Sequence, residues 1–437
     1  MSYKNTIGII GVGHVGLPTV LGFAELGYNV IGVDEDKEKI SNLLDGKPSI
    51  FEPKIVELLN KHLSTGLISF TDNLVKAVKS CEVLFVCVGT PQKENGEADL
   101  SQVERVAILI AQNINAYKLI VEKSTVPIKT SQWIKKCIEM HLANNEEFDI
   151  ASNPEFLQEG KAMDNFFNPD RIVIGIESKK GERILREIYK PFKEKLFVTN
   201  LNTAEMIKHA SNSFLALKIS FINMVSDLCD ATDADIHKVA KGIGMDPRIG
   251  PSFLDAGIGY GGYCLPKDLR AFAKIGDQYQ VDFSLLKQVD QINERRIDIL
   301  VSKVINALLK FDGKTIGILG LSFKPNTDDI REAPSLKIIH QLLEKGYLLR
   351  LYDPQAMDNI KQVIPSNSKV IFTSSPYEAA EQSNALLILT NWDEFITLDF
   401  SKIKLTMSSP VIIDGRNCLN PEEIKRLGLK YYSMGRS

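Results

Sequence analysis

The chain has 437 residues, 44% hydrophobic and 24% charged, which are ordinary globular proportions and allow two or three domains of roughly 100–200 residues each. A formal net charge of −3 gives no reason to expect nucleic acid or an anionic membrane as the main partner, and no apolar run approaches the roughly 18–20 residues of a membrane helix. Six cysteines (Cys81, Cys87, Cys137, Cys229, Cys264, Cys418) show no CxxC pairing, so neither a zinc ribbon nor a disulfide framework is expected, and no metal.

The start, MSYKNTIGIIGVGHVG, runs directly into a strand and a glycine loop. It lacks the basic region, apolar core and cleavage site of a leader, and a soluble, cytoplasmic protein is expected. TIGII predicts a strand, GVGHVG a turn, LPTVLGFAELG an amphipathic helix ending at Gly27, and NVIGVD a second strand. Apolar runs follow at 83–89, 118–125, 148–154 and 171–176, with helical patterns between several of them. Strands alternating with helices imply a parallel, doubly wound α/β sheet.

From Asn202 the texture changes: thirty residues pass without proline or glycine, with apolar positions at helical period. DIHKVAKGIGMD and VDFSLLKQVDQINERRIDILVSKVINALLKF also predict helices, the second ending near Asp312. Strand patterns return with KTIGILGLSF. There ELGYNVIGVD (25–34) is echoed by EKGYLLRLYD (344–353), each preceded by a strand and a glycine turn. The expected organisation is two Rossmann-like doubly wound domains, 1–199 and 312–437, joined by an all-helical region over 200–311 that contains a long helix.

In GVGHVG, the first glycine makes the tight turn, the second lets backbone approach a pyrophosphate, and the third permits close helix–strand packing. Asp34 follows about twenty residues later at a strand end, placed for ribose hydroxyls and repelling a 2′-phosphate, which favours NAD over NADP. The later turn, GLSFKPN, lacks the third glycine and carries Lys324 at its mouth; it either binds a different nucleotide or is structural. Lys208 and Asn212, four apart, share a helix face one turn beyond Glu205, at the start of a largely apolar helix where polar groups need partners or a ligand.

Five of the cysteines read as small buried hydrophobes. Cys264 is different. In GYGGYCLPKD (259–268) it sits on a glycine-rich turn, in neither a strand nor a helix pattern, before Pro266 and Lys267, with Asp268 either capping the next helix or facing a substrate. That is a setting for a reactive thiol. Beside a nicotinamide site, a thiolate that adds to an aldehyde permits a second hydride removal and leaves a thioester for water to cleave. Such chemistry needs an oxyanion stabiliser and a positioned water. Glu155 and Glu159 in NPEFLQEG and Thr125 in KSTVP are the nearest candidates by type.

These residues resemble the nucleotide-sugar 6-dehydrogenases, the UDP-glucose/GDP-mannose dehydrogenase family. The resemblance covers essentially the whole chain. Its markers come in family order: GVGHVG, VGTP (88–91), KSTVP, NPEFLQEG, AEMIKHASNSFLALKISFIN, GIGMDPRIG, GYGGYCLPKD, LGLSFKPNTDDIREAPS and DGRN (414–417). Gln158 stands where arginine is commoner, and Tyr263 and Leu265 replace the commoner serine and phenylalanine around the thiol. CLPKD is similar to the GDP-mannose branch, whereas DPRIGPSFL and KPNTDDIRE favour UDP-glucose.

The resemblance implies four-electron oxidation of UDP-glucose to UDP-glucuronate with two NAD+ and one water. Cys264 would be the nucleophile. Lys208, Asn212 and Asp268 would stabilise the oxyanion and serve acid/base or water-positioning roles, and Thr125 and Glu159 would position water. NAD would meet Gly11, Val12, Gly13, His14, Val15 and Gly16, then Asp34, Lys39, Gly89 and Thr90, with Thr125, Glu159, Lys267 and Arg331 nearby. Substrate would meet Glu155, Phe156 and Leu157, together with Lys208, Asn212 and Cys264. Phe253, Tyr260, Gly261, Phe323, Lys324 and Arg416 would complete that site, the last three from a C-terminal half that holds the UDP. Arg248 would contact substrate across a subunit boundary, making a homodimer on the central helices the minimal unit. The alternatives are the same chemistry on GDP-mannose or UDP-galactose, a two-electron hydroxyacid dehydrogenase, or a non-catalytic nucleotide-sugar-binding regulator.

Overall fold

The computed structural model describes residues 6–93, 95–311 and 313–436. The expected domain start at Asp312 and the reading of residues 1–5 lie outside them. The chain divides into two compact units, Met1–Ser211 with Lys274–Tyr279, and Asn212–Ala273 with Gln280–Ser437.

The first unit is built on eight strands: β1 (Ile7–Ile10), β2 (Val30–Val33), β3 (Ile68–Thr71), β4 (Val83–Val86), β5 (Lys118–Glu122), β6 (Phe148–Ser152), β7 (Ile172–Ile176) and β8 (Leu196–Thr199). Their order is β3-β2-β1-β4-β5-β6-β7-β8. The central β1 and β4 are buried along their whole length, which is why they read as continuous apolar runs and not as alternating ones. One expectation is corrected here: β7 pairs antiparallel with β6, so the sheet is not wholly parallel. The first helix, Gly16–Glu25, also differs from the amphipathic pattern expected, since Gly16 through Ala24 are all buried. The cause is a second layer of packing. Phe23 meets Phe166 edge-on at 5.5 Å, and a Cβ on Gly22 would lie 2.3 Å from the Phe166 ring, so both faces of this helix are covered.

The second unit carries a six-stranded sheet: β9 (Thr315–Leu319), β10 (Leu348–Tyr352), β11 (Val370–Phe372), β12 (Ala385–Ile388), β13 (Val411–Asp414) and β14 (Lys430–Ser433), in the order β11-β10-β9-β12-β13-β14. Every pairing in it is parallel. In both sheets the order reverses beside the first strand, between β1 and β4 and between β9 and β12. The loops after these strands therefore diverge and open a crevice, the usual ligand position in a doubly wound fold.

Helices dominate the middle of the chain: Leu201–Thr232, Ile236–Gly244, Cys264–Gln278 and Ser284–Leu308. The division between the units falls inside the first of these. Within the second unit, Arg296 is fully buried. It donates to the carbonyls of Gly257 (2.9 Å) and Asn223 (3.2 Å) and to Ser226 Oγ (3.1 Å), and it is ion-paired with Asp227. Among the described residues, no helix is long and apolar enough to cross a membrane.

Candidate active site

In the first unit the turn after β1 distinguishes the roles of its three glycines. Gly11 has φ +90°, and a Cβ there would press on the Cys87 carbonyl at 2.8 Å; one on Gly16 would meet the Gly11 carbonyl at 1.7 Å. Neither position admits a side chain. Gly13, by contrast, has nothing within 4 Å of where its Cβ would stand, leaving open backbone at the helix N-terminus for a pyrophosphate. Asp34 follows β2, where its Oδ2 accepts from the Val12 amide at 3.1 Å and from Lys39 Nζ at 2.9 Å. A carboxylate held at that strand end, above an open glycine turn, fits a dinucleotide with free ribose hydroxyls. His14 and Val15 lie half-buried in the same turn. The loop after β4, on the other side of the crevice, brings Gly89, whose amide donates to Gln102 Oε1 at 3.1 Å, and buried Thr90, whose hydroxyl donates to the Thr125 carbonyl at 2.9 Å.

The end of β6 and the helix Leu201–Thr232 together supply a buried charged group. Lys208 and Glu155, 4% and 5% exposed, are joined at 3.0 Å. The other oxygen of Glu155 accepts from the Leu157 amide at 2.6 Å. The Phe156 ring is overlaid by Arg171 at 4.0 Å and by Lys208 at 5.2 Å. Glu159 is half-buried in the turn that follows. Glu205, a turn before Lys208, does something the sequence did not disclose. It accepts from the Lys129 amide (2.6 Å) and from the Ser131 amide and hydroxyl (2.8 and 2.7 Å). It therefore caps the helix Thr130–His141, whose own N-cap, Lys129, is left-handed and makes no side-chain cap. Burial raises its carboxyl above the usual range, against the opposing pull of those donors.

In the second unit the reading of GYGGYCLPKD needs two corrections. Cys264 does not precede the helix; it is its first residue, in Cys264–Gln278. Pro266 suits the first turn of a helix, where its missing N–H would have no partner, and so does not delay the start. Asp268 is consequently a full turn inside the helix and is not its cap. Fully buried, it accepts from Lys267 Nζ at 2.8 Å and from Asn212 Nδ2 at 2.6 Å. Burial alone would pull the Lys267 ammonium down, but the charge of Asp268 outweighs it and the pKa ends raised. Cys264 itself is half-buried. The preceding Gly262 has φ +80°, and a Cβ there would lie 2.6 Å from the Phe323 ring. Tyr263 stands between two cations, with Lys267 Nζ 5.3 Å and Arg331 Cζ 4.4 Å from its ring centre, and Arg331 is paired with Asp329 at 2.6 Å.

Arg416 follows β13 and donates to the carbonyls of Leu389 (2.8 Å), Gly259 (2.8 Å) and Phe323 (3.2 Å). It thereby ties the cysteine segment to the crevice beside β9 and β12. Burial lowers its pKa. Lys324 lies over the Phe323 ring at 5.3 Å. Tyr260 is fixed through its backbone by Asn293, at 2.8 and 3.0 Å, and Gly261 packs against the Glu332 carbonyl. Phe253 adopts a left-handed φ of +63°. The Arg248 side chain is 87% exposed and paired with Asp246 at 2.6 Å. Of the other cysteines, Cys418 departs from the buried reading: it is half-buried and its thiol donates to Asp414 at 3.6 Å.

Comparison with known proteins gives a consistent result along the chain. The NAD binding, central and UDP binding domains of the UDP-glucose/GDP-mannose dehydrogenase family match residues 5–193, 202–295 and 317–421. The chain is 43% identical over 430 residues to the UDP-glucose 6-dehydrogenase YwqF of Bacillus subtilis (strain 168), covering 98% of this chain and 97% of that one. Among solved structures it is similar to a UDP-glucose dehydrogenase from Pyrobaculum islandicum, with TM-score 0.92 and 34% identity over 100% of this chain and 99% of that one. It is also similar to a UDP-D-ManNAc dehydrogenase from Pyrococcus horikoshii, with TM-score 0.86 and 29% identity over 99% of each chain.

Proposed function

The chain belongs to the UDP-glucose/GDP-mannose dehydrogenase family and is an NAD-dependent oxidoreductase, and on that premise we propose that it oxidises UDP-glucose to UDP-glucuronate through a thioester on Cys264. The observation that carries this reading is the thiol at the first residue of a helix, one turn from the buried Lys267–Asp268–Asn212 group. A helix N-terminus and a neighbouring cation both favour thiolate over thiol.

NAD bound at the Gly11–Gly16 turn supplies the hydride acceptor, two NAD+ being consumed per sugar. The protein's own groups then divide the work. Asp268 takes the hydroxyl proton as the primary alcohol becomes an aldehyde. The Cys264 thiolate adds to the aldehyde carbon, forming a C–S bond and placing negative charge on oxygen. Lys208 and Asn212, one turn apart on a single helix, present an ammonium and an amide as donors to that oxygen. After the second hydride departs, the remaining thioester is cleaved by water positioned by Thr125 and Glu159. The C–S bond breaks, the thiolate returns and a carboxylate leaves. The UDP moiety is assigned to the crevice beside β9 and β12, with Phe323, Lys324 and Arg416.

The deciding experiment is NADH formed per sugar consumed, run on UDP-glucose, UDP-galactose, UDP-N-acetylmannosamine and GDP-mannose. Two NADH per UDP-glucose, with little turnover on the others, is expected. One NADH would remove the thioester; two on another sugar would move the substrate and keep the chemistry.

We also propose a homodimer on the long helix. Phe214, Phe221 and Leu228 recur every seven residues and are 62%, 46% and 64% exposed, with Met224 beside them at 49%. An apolar stripe at that spacing is a helix-pairing seam. Sedimentation should give twice the 48.7 kDa chain mass, falling to one chain in Phe221→Glu. A wild-type protein that sediments as a single chain removes the proposal.

A further inference from the structure

Glu52 lies in the segment leading into the helix Ile55–Thr65 and is 7% exposed. Its two carboxylate oxygens take one backbone amide each: Oε2 accepts from Gly160 at 2.6 Å and Oε1 from Ala162 at 2.7 Å. Both amides belong to NPEFLQEGKA (153–162), far along the chain from the glutamate that holds them. Ala162 opens the helix Ala162–Phe167, and Lys161 at the preceding N-cap makes no side-chain cap. A local serine or aspartate ordinarily serves that purpose. A carboxylate from a distant segment does more, because it also reaches back to Gly160.

Gly160 is left-handed, with φ +77°, and the Lys161 amide donates to the Gln158 carbonyl at 2.9 Å. Glu159 and Gly160 are therefore the two central residues of a tight turn. The Gln158 amide is held by Asn165 Oδ1 at 2.9 Å. The amides on either side of Glu159 are thus both fixed, one by Asn165 and one by Glu52. The other end of the loop is held separately, since Glu155 meets Lys208 at 3.0 Å and the Leu157 amide at 2.6 Å. One loop has two anchors, Lys208 at its start and Glu52 at its end. A glutamate suits the second: its bonds to amides are charge-assisted, and negative charge is favoured at a helix N-terminus. Glutamine would offer one acceptor oxygen where two amides need one each.

We propose that Glu52 is a positioning residue for the hydrolytic half of the reaction, holding the turn that carries Glu159. This rests on the assignment of Glu159 to the water that cleaves the Cys264 thioester. In that step a C–O bond forms to the water and the C–S bond breaks with its electron pair left on sulfur. Two protons are released, the second as the new acid ionises. A misplacement of about 1 Å can cost such a step 10²-fold. The two oxidations draw on Cys264, Lys208, Asn212 and Asp268, none of which lies on this turn.

The test compares the wild-type enzyme, Glu52→Gln and Glu159→Gln on UDP-glucose with excess NAD+. In Glu52→Gln, kcat should fall roughly 10²-fold while kcat/KM stays near the wild-type value, because slowing a step after the second hydride transfer lowers kcat and KM together. Rapid mixing should show two NADH per active site before the slow phase. Mass spectrometry of acid-quenched enzyme should find a UDP-glucuronyl group on Cys264, and Glu159→Gln should behave alike. A merely structural glutamate would loosen the Glu155 end of the loop as well, so equal losses in kcat and kcat/KM without the adduct overturn the inference. Wild-type kcat overturns it too. If Glu52→Gln does not fold, Glu52→Asp gives the same readings, since it keeps the charge but falls one methylene short of both amides. Adduct in Glu159→Gln but not in the Glu52 variants discards this inference alone. Normal hydrolysis by Glu159→Gln removes Glu159 from the proposed function and this inference with it.

Discussion

Cys264→Ser is expected to lower turnover on UDP-glucose by about three orders of magnitude or more. Serine is a poor nucleophile at neutral pH, and an alkoxide is a far worse leaving group than a thiolate. Both halves of the thioester route therefore fail together: addition to the aldehyde and release by water. The fold should be indifferent to the change. Serine is well tolerated at the start of a helix, the side chain is half-buried, and such substitutions usually stay within about 0.5 kcal/mol. Calorimetry should accordingly show NAD and UDP-glucose binding close to wild type, alongside a collapsed rate. Wild-type-like NADH production by this variant would take the thiol out of the mechanism.

Lys208→Met should damage both chemistry and stability, and the two losses can be separated. Lys208 and Glu155 are among the most deeply buried charged residues of the first unit, at 4% and 5% exposure. Removing the ammonium leaves a carboxylate buried without its counter-charge, which costs about 3–5 kcal/mol. Loss of the oxyanion donor proposed at Lys208 should lower kcat by roughly 10²–10³-fold. The double variant Lys208→Met/Glu155→Gln removes both charges and should recover most of the stability while staying inactive. Thermal unfolding and kcat measured on the three proteins decide the matter. If the double variant regains activity, Lys208 serves only to neutralise Glu155; if the single variant is as stable as wild type, the pair is not the brace its geometry implies.

Much of the fold was legible because fully buried parallel strands are spelled as apolar runs. IGII, VLFV and IVIGI announce themselves, and the glycine turn after β1 carries its own signature. Other strands were not singled out. ISFT alternates weakly and sits at a sheet edge, LFVT is half-exposed, and ALLI and VIID, although wholly buried, are too short for four residues to reveal a period. The reversed direction of β7 could not be read at all, since strand direction is set by where the connection packs and not by the residues of the strand.

At the candidate site, residue type singled out the groups, and tertiary packing set their partners. Lys208, Asn212, Cys264 and Asp268 were all named from local sequence. That Asp268 would accept from Asn212 and Lys267, and not cap its helix, depended on Cys264 starting that helix, a point obscured by reading Pro266 as a delay. Glu205 was named without its role for a related reason. A glutamate on a helix looks solvated until a foreign helix N-terminus closes over it.

The glycine turn has a consequence for anyone wishing to retarget the enzyme's redox currency. With a left-handed backbone at Gly11 and no room at Gly16, the turn itself offers no adjustable side chain. Design freedom shifts to the end of β2, yet Asp34 there is not an independent knob, because it holds the Val12 amide and the Lys39 ammonium at once. Neutralising it to admit a 2′-phosphate strips the amide of its acceptor and releases the lysine in the same stroke. Asp34, Lys39 and the loop between them form one interchangeable cassette, to be swapped whole and not residue by residue.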